Sequence, residues 1–292
     1  MSHLGFPAMG TWFDLHVEGP DPAGDLAALV GARAEVERLE QVFSRFRESS
    51  QLSELNRRRG GPLGADMRRV VDLALRMRTL TGGWFDPTVG EAVRAAGYDR
   101  PFEQIGTGRT VTAAATARGT SRATVIVDPG GAIALPAGVS LDLGAIAKGY
   151  AADVVCALLA ARGPSLVSAG GDIAAAGPRG EGPWPVAIGT PDGRVVALLE
   201  HGALATSGVD RRRWTSGAGD ERHHVIDPRS ARCADTDLLR VTVAADRCAV
   251  ADALATALLA SGAESARAMC SDLDLSAVLV QRGGDTIRTG SL

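Results

Sequence analysis

Cysteine, lysine, aromatic side chains and long apolar runs are all scarce in this 292-residue chain, and each scarcity removes a class of function. The four cysteines, Cys156, Cys233, Cys248 and Cys270, are scattered, with no CxxC spacing and no Cys/His cluster. That argues against a disulfide framework and against a structural zinc site. Aromatics are 4% of the residues, too few to supply stacking platforms for single-stranded nucleic acid. Positive charge is not in excess: 31 Lys plus Arg against 34 Asp plus Glu leave a formal charge of −3. No nucleic-acid partner is expected. No apolar run approaches the roughly 18–20 residues that span a bilayer. The opening MSHLGFPAMG has no basic segment followed by an apolar one. The expectation is therefore no signal peptide, no transmembrane segment and a cytoplasmic location. Lysine is the most pointed scarcity, because Lys148 is the only one among 31 basic residues. Either a compact ammonium is needed there, or codon usage favours arginine everywhere else.

With 45% hydrophobic residues the chain can bury a sizeable core. Loose alternation predicts an opening strand over 4–17. Leu29, Ala32, Val36, Leu39, Phe43 and Phe46 recur at helical steps and predict an amphipathic helix over 25–46. Ser49 or Ser50 caps a short helix carrying Leu52, Leu55 and Asn56. Another helix spans 66–80 and closes at Gly82 and Gly83. Short apolar runs around DPGG and LPAG predict a β-meander over 123–143, followed by a helix over 144–162. Turn signals at AGGD, PRGEG and TPDG predict hairpins over 165–199. A strand over 238–245, an alanine-rich helix over 249–261 and a last strand over 275–280 complete the pattern. Strands in runs with helices inserted between them indicate α+β. No fixed-period repeat and no linker appears, so one two-lobed domain over 1–292 is expected.

Four segments carry chemistry. In SLDLGAIAKGYAAD, Asp142 arrives on a predicted strand, Gly144 permits a tight turn, and Lys148 lies at a helix start, a natural anion locale. A capping Asp142 and a solvated Lys148 would explain the same residues. In AVADALATALLASG, Asp252 and Thr256 stand at i and i+4, so both oxygens project from one helical face amid small alanines. That set suits a hard cation such as Mg²⁺, although a helix-dipole aspartate and a back-bonding threonine give the same pattern. In HHVIDP, adjacent histidines on a strand point to opposite faces, so only one can enter a given site, where it could act as general base. In GGWFDPTVG, Trp84 and Phe85 beside Asp86 either line a pocket for a planar ligand or anchor the core.

The joint order of motifs decides more than any one of them. The chain runs Met9-Gly10-Thr11, FSRFRESSQLSELN, GGWFDPTVG, LDLGAIAKGYAAD, SAGGDIAAAG, ATSG, HHVIDPRS and ADALATAL. Over roughly residues 5 to 285 this resembles the ApbE-type FAD:protein FMN transferase family. The resemblance implies an α+β fold with mixed or antiparallel sheets, flanking helices and a ligand cleft between two subdomains. It implies Mg²⁺-dependent transfer of FMN from FAD to a Thr or Ser hydroxyl of an acceptor protein, with release of AMP. Hydrolysis of FAD to FMN and AMP at the same metal site, or flavin binding without turnover, are the alternatives. By motif position, Asp252, Thr256 and the Ala145 carbonyl match the metal ligands. Met9, Phe46, Trp84, Phe85, Asp86, Asp142, Lys148 and Ile226 match positions that hold FAD, and His224 matches the base. No Ser/Thr-Gly-Ala-Ser/Thr-Thr acceptor motif occurs, so self-modification is not expected.

Overall fold

The computed structural model describes residues 1–105, 125–217 and 219–292. The chain opens with a hairpin, β1 (Ser2–Ala8) and β2 (Thr11–Val17). The single predicted strand is therefore two. Met9 and Gly10 both take positive φ, 51° and 66°, which makes the two-residue turn whose twist matches antiparallel strands. Helix α1 (Pro22–Phe43) starts at Asp21, whose carboxylate accepts the Gly24 N–H, and stops at Ser44. Phe46 thus lies beyond the helix and not on it. Ser50 caps α2 (Gln51–Arg58) by accepting the Ser53 N–H. Then follow β3 (Gly60–Pro62), α3 (Ala65–Leu80), α4 (Gly90–Ala95) and α5 (Phe102–Ile105).

Of the predicted meander only β4 (Ile126–Val127) and β5 (Ala132–Ala134) form, and β5 pairs on its other side with β3. Ala123 and Thr124 lie outside the described residues. Asp142 is not on a strand: Ser140 makes only an isolated parallel bridge to Val89. Helix α6 (Ala147–Ala160) comes next, then β6 (Ser165–Ala169), β7 (Asp172–Ala176), β8 (Trp184–Thr190), β9 (Gly193–Leu199) and β10 (His201–Gly208). Short strands β11 (Arg213–Thr215), β12 (Glu221–His223), β13 (Ile226–Asp227) and β14 (Arg232–Cys233) lead to β15 (Leu238–Ala245). The chain closes with α7 (Cys248–Ser261), α8 (Ala263–Asp272), β16 (Ala277–Gln281) and β17 (Thr286–Thr289). The predicted last strand therefore has a partner beyond it.

Eight strands form one antiparallel sheet in the order β1-β2-β6-β7-β10-β15-β16-β17. Strand alternation gives it two buried faces. Val167, Ala174, Ala203, Ala277 and Leu279 join α1, α6 and α7 in the main core. Their neighbours Leu166, Ile173, Leu204, Val278 and Val280 pack under the β8–β9 hairpin on the other side. The architecture is α+β, as the runs of strands predict. Among the described residues, no helix is long and apolar enough to cross a membrane.

The closest helix contact positions the site. A Cβ on Gly149 of α6 would stand 2.5 Å from the Cys248 carbonyl oxygen and 2.7 Å from the Ala249 nitrogen of α7. Asp153, one turn further along α6, accepts the Cys248 and Ala249 N–H groups at 2.7 and 3.1 Å and so caps α7 from outside. Alanine is ordinarily about 1 kcal/mol better than glycine inside a helix. Here the backbone obstruction reverses the sign. Gly149→Ala is expected to destabilise by about 1–3 kcal/mol, as overpacking does, measurable as a lower midpoint in urea unfolding.

Candidate active site

Every residue that the family resemblance assigns to the site, from Met9 to Thr256, lines one cavity of about 690 Å³. Small-molecule sites generally occupy roughly 300–1,000 Å³. The cavity is acidic and hydroxyl-rich at one end and aromatic at the other.

The α6–α7 crossing builds the acidic end. Lys148 Nζ donates to Asp172 Oδ2 at 2.5 Å and to Asp252 Oδ2 at 3.2 Å. Asp172 begins β7 after a turn at Gly170 and Gly171, both with positive φ, and its other oxygen accepts the Thr206 N–H at 3.3 Å. One helical turn beyond Asp252, Thr256 Oγ1 lies 2.8 Å from Ser207 Oγ. Two buried carboxylates thus share one ammonium. Burial and the neighbouring Asp172 push the Asp252 carboxyl up to about 7, against the opposing pull of Lys148 and the Gly149 N–H. Burial alone would lower the Lys148 pKa, but the two carboxylates outweigh it and hold it above the ordinary lysine value. Lys148 is therefore not a solvated lysine: it lines the cavity as the counter-ion of Asp172 and Asp252.

The aromatic end comes from loops. Phe46 and Tyr98 meet edge-on, with centroids 5.6 Å apart. Trp84 lies beneath Arg229, whose guanidinium carbon is 3.6 Å from the ring centre, and Phe85 is buried beside it. Asp86 is tied into its own loop: Oδ1 accepts the Thr88 N–H and hydroxyl at 2.9 and 2.7 Å, and Oδ2 faces Arg78 Nε at 3.1 Å. Its burial raises the carboxyl pKa despite the Thr88 hydrogen bonds and Arg78. Asp142 pairs through Oδ2 with Arg45 Nε at 3.0 Å and accepts the Gly144 N–H at Oδ1. It does not cap α6, whose N-cap residue is Ile146.

His224 stands where the two ends meet. Strand β12 stops at His223, so the histidine pair straddles a strand end, yet the expected segregation holds. His223 is buried away from the cavity with Nε2 3.1 Å from the Ala234 carbonyl oxygen, while His224 and Ile226 face the cavity. The His224 ring lies edge-on to Tyr98, with centroids 6.2 Å apart. Its Nδ1 is buried with no protein partner. Burial, then the positive charge of Arg212, lowers its pKa to about 3 in the ligand-free protein.

The sequence reading passed over Asp172, Ser207, Arg45, Tyr98 and Arg212. Asp172 and Ser207 sit inside the quoted SAGGD and ATSG stretches, so their motifs were visible. Tyr98 is an isolated aromatic in a loop and carries no local signal.

Lys148→Met removes the counter-ion and leaves two carboxylates buried together. Breaking a buried pair costs about 3–5 kcal/mol. The cost is greatest where Asp252 is ionised, because its carboxyl, raised by burial and by Asp172, is relieved by protonation. The variant is therefore expected to lose most stability at pH 8 and to recover part of it towards pH 5, read by thermal unfolding against the parent.

The ApbE family model matches residues 9–279. The chain is 30% identical to the FAD:protein FMN transferase of Klebsiella pneumoniae over 297 residues, 96% of this chain and 84% of that one. It is also 30% identical to the enzyme of the same description from Vibrio cholerae, covering 97% and 88%. The solved flavin transferase ApbE from Vibrio cholerae superposes with a TM-score of 0.82 at 27% identity, covering 99% of this chain and 97% of that one. The ApbE protein of Thermotoga maritima superposes with a TM-score of 0.84 at 26% identity, covering 99% and 96%. With its motifs gathered around one cavity and its matches running nearly end to end, the chain belongs to the ApbE family.

Proposed function

We propose that this chain transfers FMN from FAD to a Ser or Thr hydroxyl of an acceptor protein and releases AMP. The observation that carries the reading is a cavity with an aromatic end, an acidic end and a partnerless imidazole nitrogen between them. It takes its lining from the N-terminal hairpin through to α7, which supports one two-lobed unit over the whole chain.

The acidic end fits a divalent cation. Burial, then the neighbouring Asp172, raises the Asp252 carboxyl to about 7, and once Asp252 ionises, two carboxylates against one ammonium leave an excess negative charge. Asp252 and Thr256 would hold Mg²⁺ with the Ala145 carbonyl. Among the described residues no group of three His, Cys, Asp or Glu side chains could hold a metal. Mg²⁺ commonly keeps several waters and takes only one or two carboxylates, so the proposed set of one carboxylate, one hydroxyl and one carbonyl is of a usual size for it. When bound, the ion neutralises pyrophosphate charge.

The protein's own residues do the rest. Trp84, Phe85 and Phe46 hold the ring systems, and Lys148 keeps Asp172 and Asp252 in register. The acceptor hydroxyl oxygen attacks the FMN-side phosphorus as its proton passes to His224, the bond to the bridging oxygen breaks, and AMP leaves. The lowered basicity of His224 reflects burial first and the nearby cations second. An anionic pyrophosphate offsets the Arg212 and Lys148 charges and makes the imidazole a stronger base.

Two experiments test the reading. With FAD, Mg²⁺ and a candidate acceptor, mass spectrometry should find the acceptor heavier by one FMN. His224→Ala should keep FAD affinity within a few-fold and slow transfer by roughly 10²–10⁴, the contribution of a positioned base. His223→Ala should leave transfer unchanged. AMP release that is equally fast without acceptor would identify a hydrolase instead. Secondly, Asp252→Ala or a chelator should abolish FAD cleavage. Because ion binding must displace the Asp252 proton, Mg²⁺ affinity should rise as pH climbs through about 7. A pH-independent affinity, measured by calorimetry, would remove Asp252 from the ion site.

A further inference from the structure

We infer that Arg45 is the specificity-determining donor of the aromatic end, and that it reads the carbonyl edge of the flavin ring. Asp142 acts as its positioning residue. The inference rests on the flavin-nucleotide reading above.

Arg45 follows the Ser44 cap of α1 and enters the cavity wall. Its guanidinium carbon is 4.2 Å from the Phe46 ring centre and 4.3 Å from that of Tyr98, so aromatic rings flank the cation. Nε is tied to Asp142 Oδ2 at 3.0 Å, and Nη1 donates to the Tyr98 carbonyl oxygen. Asp142 Oδ1 is in turn held by the Gly144 N–H at 2.8 Å. These contacts fix the planar fork in one orientation. Nη2 remains: it is buried and has no hydrogen-bond partner in the protein.

A charged donor buried without an acceptor is costly, and the rigid fork cannot turn to find one. An arrangement that holds two of the three guanidinium nitrogens and leaves the third buried and unmatched is complementary to an acceptor on a ligand. Of the groups in FAD, the pyrophosphate belongs with the ion site and His224. Adenine offers an amino donor beside ring nitrogens. The flavin's pyrimidine edge offers two carbonyl oxygens, the acceptors that suit a guanidinium N–H. The flanking Phe46 and Tyr98 rings give that heterocycle apolar surface on the same side of the cavity.

Riboflavin, which has neither phosphate nor adenine, and AMP, which has no flavin, separate the possibilities. Arg45→Gln is expected to weaken riboflavin binding by about tenfold or more, the usual worth of a hydrogen bond from a charged group, and to leave AMP affinity unchanged. Unchanged AMP binding also shows that the variant is folded. Arg45→Lys keeps the charge without the fork and should not restore riboflavin affinity. Wild-type protein should shift the visible absorption band of bound riboflavin, and both variants should lose that shift. Asp142→Asn should give a smaller loss, absent in the Arg45→Gln background because the two act through one contact. Riboflavin affinity and spectrum unaltered in Arg45→Gln, or a loss confined to AMP, would overturn the assignment. Wild-type protein that binds riboflavin and FAD but flavinylates nothing leaves the Arg45 assignment standing and removes only the transferase reading. Failure to bind any flavin removes both.

Discussion

The acidic end of the cavity depends on one ammonium between two buried carboxylates. Lys148 reaches Asp172 on the sheet and Asp252 on α7 from a position on α6, so a single cation ties three elements together. It can do so because Gly149 and the alanines of α7 let the two helices approach until backbone meets backbone. A larger residue at the crossing would move Asp252 away from Lys148. The packing constraint and the electrostatic one are the same constraint seen at two scales.

Charge balance gives that crossing its chemical character. A fully neutralised pair would be inert towards cations, and an unpaired carboxylate would be too costly to bury. One ammonium for two carboxylates lies between these limits. Burial, then the neighbouring Asp172, pushes the Asp252 carboxyl up to about 7. A lone lysine in an otherwise arginine-bearing chain is consistent with this geometry. Its compact head fits between two carboxylate oxygens on different elements, where a planar fork would need a bidentate partner.

Periodic segments were legible and long-range partners were not. The 238–245 strand, the 66–80 helix and the alanine-rich helix fall within a residue or so of prediction, because their patterns match the periods of strand and helix. The Met9–Gly10 turn was lost inside a long alternation, since a two-residue turn hardly interrupts the period. Strand β3, reading GGP, has no apolar signal at all and exists because β5 supplies its hydrogen bonds. At the site, motif order brought out His224 rather than His223, and Asp252 with Thr256, but passed over Asp172, Ser207 and Arg45 inside equally recognisable stretches. It could not show that Lys148 faces carboxylates, because Asp172 and Asp252 are 24 and 104 residues away from it.

The two ends of the cavity also differ in how they are held, and that difference bears on how a ligand is oriented. The acidic end sits on α6, α7 and the central strands, the most deeply buried elements of the fold. The aromatic end is carried by loops, yet its polar groups are fixed individually: Asp86 by Thr88 and Arg78, Arg45 by Asp142 and the Tyr98 carbonyl. Loops so pinned keep their side chains oriented without secondary structure of their own. A ligand spanning the cavity therefore meets fixed groups at both ends. Between them stands the His224 imidazole, whose Nδ1 has no hydrogen-bond partner in the protein. On the proposed reading, the two anchors together set the orientation of the reacting phosphorus beside that nitrogen.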